Sequence, residues 1–443
     1  PTTVRALAAA TPADRNRVVD FLRVLAILVV VLGHWLLAAV VVRDGVLVPD
    51  AVLNLATWSH PLTWVFQVMP VFFLVGGYAN ARSWRSARAS AAGYPAWLRA
   101  RIRRLVTPVV PLLVTWLVLV TIGYAAHVPW SALRTASQVA LVPTWFLAAY
   151  VLVVAVAPGT LWLWERFGWA TVAVGLLLGG AVDAVSIGRD DLLVGFANYL
   201  VVWATVHQLG YALLDHRLDG PARRATLAAL GLAGLVALVR FGPYPVSIIG
   251  VDGAGLNNSY PTRVTLAFLG MFQAGVLLLA ERRLETWLHR DRPWKATVLV
   301  SARIMTLYLW HLTAMVLVIG VGVLLGGFGL HAEPLSALWW ATRPLWYAVL
   351  VVVTLGLVAV YGRFERPVVE PRSARPVRPA RPAARRSSPS VWQPLAATAL
   401  ACGGLGVMAA QGVVGPAGVR WWWPMLPILG AALVAPRPWT GRA

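Results

Sequence analysis

The sequence predicts an all-α fold, a polytopic membrane helical bundle of about ten core transmembrane helices with two more toward the C-terminus. Three observations carry that expectation. Apolar residues make up 59% of the 443 and charged residues only 12%, against about 25% charged in a soluble domain. The mean hydropathy is +0.70. Apolar runs of about 20 residues recur from Phe21 to Leu433, each long enough to cross ~30 Å of hydrocarbon as a helix. Together they exclude a soluble globular enzyme, a disulfide scaffold and a disordered tail protein.

Apolar runs set against charge clusters give twelve candidate spans, at 18–42, 62–79, 105–125, 139–157, 168–187, 193–214, 225–241, 262–280, 298–324, 337–360, 395–413 and 420–436. The first run, after Arg17, is too long for a cleavable signal peptide and is expected to act as an uncleaved anchor. With the N-terminus inside, 30 of the 38 Lys and Arg residues fall on inner segments and seven on outer ones. That asymmetry follows the positive-inside rule and predicts a multi-pass protein of the inner or plasma membrane with both termini cytoplasmic. The formal charge of +21 is thereby spent on topology, and no nucleic-acid partner is expected. The lipid bilayer is.

Five segments follow: a cytoplasmic tail (1–17), a transmembrane domain (18–366), a linker (367–394), two additional spans (395–436) and a second cytoplasmic tail (437–443). The linker belongs to a Pro/Arg-rich stretch, "ERPVVEPRSARPVRPARPAARRSSPS", with no helical period. It tethers the last spans and attracts anionic lipid at ~1 kcal/mol per arginine near the surface. No internal repeat of the inverted-transporter kind is evident. A single cysteine, Cys402, excludes an internal disulfide and a thiolate metal cage.

Ionisable groups are costly inside a bilayer, so each is a functional candidate. Arg23 and His34 lie eleven residues apart in "RVVDFLRVLAILVVVLGHWL". At ~100° per residue that is three turns plus about 20°, so they share a face, with a rise of roughly 16 Å between them. Asp20, three residues before Arg23, lies on much the same stripe. His34 is a candidate general base, since an imidazole titrates near neutral pH. Its bland alternative is a packed histidine with one satisfied hydrogen bond, beside an Arg23 that reaches the headgroups. Arg101, Arg103 and Arg104 precede the third span. Positive-inside anchoring explains them, and an anionic cofactor is the second reading, because guanidinium forks suit phosphates. Tyr78 in "VGGYAN", Trp145 in "PTWFLAAY", His207 in "VHQLGY", and Tyr308 and His311 in "TLYLWHL" are cavity candidates with ordinary packing as the alternative. Tyr150 reads as an interfacial or core aromatic. Asp183 could simply reach water, and "GLNNSYPT" is a polar connection with a smaller chance of holding an acceptor. There is no glycine-rich phosphate loop, paired-histidine metal motif or Gly-x-Ser-x-Gly elbow, so no metal is expected.

These motifs, in this order, resemble the membrane acyltransferase-3 family of integral-membrane O-acyltransferases. The resemblance rests on "DFLRVLAILVVVLGH", "FFLVGGY", "RARIRRL", "WFLAAY" and "LYLWHL", and covers residues 15–366, ending at "FERP". The first-span pattern and "LYLWH" are its most specific parts. "VGGYAN" carries glycine where the family more often has Ser-Gly-Tyr. The resemblance implies a bacterial enzyme that takes an acyl group from cytoplasmic acyl-CoA, acetyl-CoA foremost, to a hydroxyl of a cell-envelope glycan, glycolipid or small molecule. It implies further that Arg101, Arg103 and Arg104 meet the CoA phosphates, that Arg23 holds the donor with Asp20 orienting it, and that His34 deprotonates the acceptor or carries the acyl group. O-acetylation is thus the expected activity. A transporter or flippase for an anionic lipid or glycan, with His34 as proton-coupling group, is the alternative. A scaffold or sensor working through its polybasic linker is the third reading.

Overall fold

The computed structural model describes residues 15–90, 93–253, 255–365 and 390–435. Both expected tails, apart from Arg15–Arg17, and the linker as far as residue 389 lie outside the described residues. Among the described residues ten helices are long and apolar enough to cross a membrane, with an eleventh if one bent pair counts as a span. The chain is an all-α polytopic bundle, as its composition predicts.

Helix α1 (Arg17–Leu37) starts where Asn16 caps it through the Val19 amide, one of the four amide groups that a helix start leaves unpaired. The expected first span to residue 42 is too long. Ala38–Arg43 (β1) and Val46–Ala51 (β2) instead form an antiparallel hairpin. Its two-residue turn, Asp44-Gly45, has φ of 50° and 76°, the geometry that Asp-Gly favours between strands. The Val40–Val42 run is β-branched, and stiff side chains of that kind prefer a strand. Val42 N donates to the Leu330 carbonyl at 2.8 Å, and Arg43 makes an exposed two-pronged ion pair with Glu333. The Arg43 guanidinium holds the Glu333 carboxyl below its usual range. The pairing therefore contributes at neutral pH and fades as the pH falls through that lowered value.

Short helical turns over residues 52–66 lead into α2 (Met69–Ala89). The arginine-bearing α3 (Gly93–Val106) passes through a 3-10 turn at Thr107–Val109 into α4 (Val110–Ala125). Residues 126–138, expected as a loop, contain most of a helix, α5 (Trp130–Leu141). Then follow α6 (Pro143–Phe167), α7 (Trp169–Gly188), α8 (Asn198–Leu214) and α9 (Pro221–Phe241). Helices α10 (Thr265–Leu279) and α11 (Glu281–Leu288) meet at 55°. The expected span 298–324 is two helices, α12 (Asp291–Ser301) and α13 (Ile304–Leu324). Glu365 caps the start of α13, accepting from the Met305 and Thr306 amides and the Thr306 hydroxyl. After α14 (Ala337–Tyr361) come α15 (Trp392–Gln411) and α16 (Trp422–Val434). The 13-residue α16 is about 20 Å long at 1.5 Å per residue, short of a full ~30 Å crossing.

The basic residues at the start of α1, within α3 and before α13 fall at one end of the bundle and the β1–β2 hairpin at the other, called here the basic end and the hairpin end. Helix α15 packs on α3, α5 and α6, with Gln393 Nε2 donating to the Leu433 carbonyl and Arg99 of α3 bonded to Gln393. The appended helices therefore brace the arginine helix. Helices α2 and α8 approach most closely through Gly77 and Gly210. A Cβ at Gly77 would stand 1.9 Å from the His207 carbonyl oxygen, and one at Gly210 would stand 2.1 Å from that of Leu74. Small residues permit such contact between membrane helices, where packing rather than a hydrophobic force joins them. Gly77→Ala should destabilise the protein by about 1–3 kcal/mol or more, read as a lowered melting temperature in nanodiscs. Gly356→Ala, with open space around it, should melt like wild type.

Candidate active site

Two polar clusters sit roughly 16 Å apart along α1. The first is a pair of imidazoles. His34 Nδ1 lies 2.8 Å from His311 Nε2, with ring planes 12° apart. His311 is fully buried, and its Nδ1 lies 2.6 Å from the Tyr308 carbonyl oxygen. A carbonyl only accepts, so His311 Nδ1 must carry a hydrogen. In the neutral ring Nε2 is then an acceptor, so His34 Nδ1 donates to it. His34 Nε2 is left without a proton, with its lone pair available. Trp35 Nε1 donates to the His311 carbonyl at 3.1 Å, and the Tyr308 hydroxyl donates to the Pro143 carbonyl at 2.9 Å. The first bond ties α1 to α13, and the second ties α13 to the start of α6. The pair can take one proton at His34 Nε2 and delocalise the resulting charge toward His311.

The second cluster lies nearer the basic end. Asp20 accepts from Arg15 and, at 3.1 Å, from Arg23 Nη2. Arg23 Nη2 also points at Ser301 Oγ, 3.5 Å away, while its Nε is buried without a partner. Arg23, Arg101 and Arg104 all act electrostatically on the buried Tyr150. Arg101 donates to the Ala79 carbonyl at 3.3 Å and lies over Trp97. Three guanidinium groups whose charge reaches one buried hydroxyl, with Asp20 as carboxylate partner of one of them, favour an anion on this side of the bundle.

Tyr150 is positioned by a buried chain of hydrogen bonds. Asn80 Nδ2 donates to the Tyr150 hydroxyl at 3.3 Å and lies 3.1 Å from His207 Nε2. An amide nitrogen only donates, so His207 Nε2 accepts and its Nδ1 donates to the Tyr211 hydroxyl, 3.0 Å away. That hydroxyl passes its own hydrogen to the Ala157 carbonyl at 3.3 Å. The Tyr150 hydroxyl therefore accepts from this network. Gly76 makes room for it: a Cβ there would lie 2.6 Å from the Tyr150 ring.

The structure thus brings His34 to His311, with Tyr308 serving through its carbonyl, and brings Arg23 and Asp20 toward Arg101 and Arg104. Arg103 lies about 200° round α3 from Arg101 and is not in this group. His207 belongs to the Tyr150 network. Trp145 packs on Phe146 and Tyr199, with centroids 6.2 and 6.0 Å away, and Tyr78 is a half-buried residue at the core edge. Tyr150, read from sequence as an interfacial or core aromatic, is the polar group which that reading undervalued; Asn80, which with Tyr78 in "VGGYAN" reads as a hydrogen-bond donor into a cavity, is the group that donates to it. Their spacing carries no period that links α2, α6 and α8. Asp183, expected to reach water, is fully buried. It pairs with Arg263 at 3.2 Å and accepts from Asn198, Tyr244 and the Val264 amide.

The profile of the acyltransferase-3 family, described as an acyltransferase domain, matches residues 16–363. The chain belongs to that family. No curated protein and no solved structure matches it.

The hydrogen-bond direction is open to measurement. Nitrogen-15 NMR of histidine-labelled protein at neutral pH should find His34 protonated at Nδ1 and bare at Nε2. The signal should switch to the other tautomer or a mixture in His311→Ala. A wild-type His34 protonated at Nε2 contradicts the assignment.

Proposed function

We propose that this integral-membrane acyltransferase moves an acyl group, acetyl foremost, from cytoplasmic acyl-CoA to a hydroxyl of an envelope glycan, glycolipid or small molecule. His34 is the general base. The observation that carries this reading is the His34–His311–Tyr308 chain, which leaves His34 Nε2 as an acceptor. In the reaction His34 Nε2 takes the proton of the acceptor hydroxyl as its oxygen attacks the thioester carbonyl carbon. The carbon–sulfur bond then breaks, and the CoA thiolate leaves with the proton returned by His34. While His34 is protonated, its Nδ1–H remains bonded to neutral His311, which stabilises the imidazolium.

Arg23, Arg101 and Arg104 are proposed to receive the phosphates of the donor, where planar forks suit phosphate oxygens. Asp20 is a positioning residue that orients Arg23. The roughly 16 Å rise from Arg23 to His34 is of the order of the pantetheine arm between the phosphates and the thioester. Charge asymmetry supports a cytoplasmic basic end and an outward hairpin end, with the protein in the inner or plasma membrane and both termini in the cytoplasm. Residues in mid-bundle are then reached by donor from one side and acceptor from the other.

Purified protein in nanodiscs should hydrolyse or transfer from radiolabelled acetyl-CoA. His34→Ala should lose at least ~100-fold in rate, the usual size of a general-base contribution, with donor binding retained. Arg101→Ala should mainly raise KM for the donor, by about tenfold, as removal of a binding contact does. Acid-quenched wild type without acceptor should carry no label on protein; label held by His34 would instead mark an acyl carrier. Absence of acyl-CoA binding at any chain length would favour the transporter reading.

A further inference from the structure

At the hairpin end, away from both clusters, a cavity of about 420 Å³ opens between the end of α7, the start of the 192–214 span and the loop before α10. That volume falls within the ~300–1,000 Å³ of small-molecule sites. Ser186, Asp190, Asn257, Tyr260 and Arg263 supply its polar and aromatic lining. Arg263 is 2% exposed, and its bonds come from one nitrogen: Nη1 donates to Asp183 at 3.2 Å and to Ser186 Oγ at 3.1 Å. Nε is buried with no partner, and Nη2 makes no hydrogen bond among the described residues. One whole edge of a buried guanidinium is therefore unpaired beside a cavity. An unpaired buried donor is costly, and the Nε–Nη2 edge presents two parallel N–H groups, the fork that matches a carboxylate.

The charges around it select the ligand further. Asp183 already neutralises Arg263, and Asp190 stands on the lining, so a doubly charged phosphate group meets net negative charge here. A singly charged carboxylate is repelled about half as strongly, and on a molecule with hydroxyls these can donate to Asp190 while the carboxylate takes the arginine edge. Tyr260, 48% exposed, offers an aromatic face to a ring. Asn257, whose Oδ1 accepts from the Ser259 and Tyr260 amides, has only its Nδ2 donor to offer a ligand. We infer that this cavity binds a sugar bearing a carboxylate, of the uronic-acid type. The inference rests on the cavity and the unpaired arginine edge, not on the acyltransferase reading. Under the proposed orientation it faces the side from which an envelope acceptor arrives.

The test uses the full chain in nanodiscs and saturation-transfer NMR with methyl glucuronide, methyl glucoside and inorganic phosphate as probes. The glucuronide should bind and the glucoside should bind at least about tenfold more weakly, the loss expected for an unfilled charged fork. Phosphate should not displace the glucuronide. Arg263→Lys keeps the charge opposite Asp183 but removes the fork, and should weaken glucuronide binding by a similar factor. If that variant fails to fold, Tyr260→Ala on the exposed rim should still weaken binding while melting like wild type. Equal binding of glucoside and glucuronide, displacement by phosphate, or wild-type binding in Tyr260→Ala would overturn the proposal. Each readout is independent of acyl transfer, so loss of enzymatic activity and failure of this site are distinguishable.

Discussion

The chemistry available to this bundle depends on one hydrogen bond from His311 to a main-chain oxygen. The Tyr308 carbonyl can only accept, and it lies 2.6 Å from His311 Nδ1. That fixes the hydrogen on His311, which in turn fixes the hydrogen on His34, 2.8 Å away. Two imidazoles in contact usually share an undetermined set of tautomers. Here helix geometry removes the freedom, because a residue at i and a carbonyl at i−3 sit on one face of α13. The lone pair at His34 Nε2 is a consequence of backbone position.

Around that pair the bundle follows the rule that polar groups in lipid must find partners. Asp183 collects four donors, and the Asn80–His207–Tyr211 chain ends on a backbone carbonyl. Exceptions are informative against this background. Among the described residues, the charged side chains with a buried, unpartnered nitrogen are Arg23 and Arg263. One belongs to the group of arginines whose charge reaches Tyr150, the other lies beside the cavity at the hairpin end. They lie at opposite ends of the bundle, with His34 on α1 and its partner His311 on α13 between the basic end and the hairpin.

Much of this was legible in the sequence, in a particular way. Helical periodicity placed Asp20, Arg23 and His34 on one stripe of α1, since local spacing alone decides that. It could not join His34 to His311, 277 residues on, or Tyr150 to Asn80, because packing sets those contacts and no period spans them. Hydropathy located the spans but blurred their ends. Val40–Val42 counted as apolar span, although a β-branched run followed by Arg-Asp-Gly is a hairpin signal. Breaks at Ala302–Arg303 and the shortness of α16 were likewise hidden inside apolar runs. Asp183 looked like a surface residue because the sequence does not show that Arg263 and Tyr244 come to meet it.

Whether His34 and His311 act as one proton-handling unit is read by a double-mutant cycle on the acyl-transfer rate. His34→Ala, His311→Ala and the double variant would be compared in nanodiscs at matched folding. If the two imidazoles form one unit, the double variant loses no more than His34→Ala alone, since His311 has nothing to orient once His34 is gone. Losses that simply multiply would show that the two imidazoles act independently.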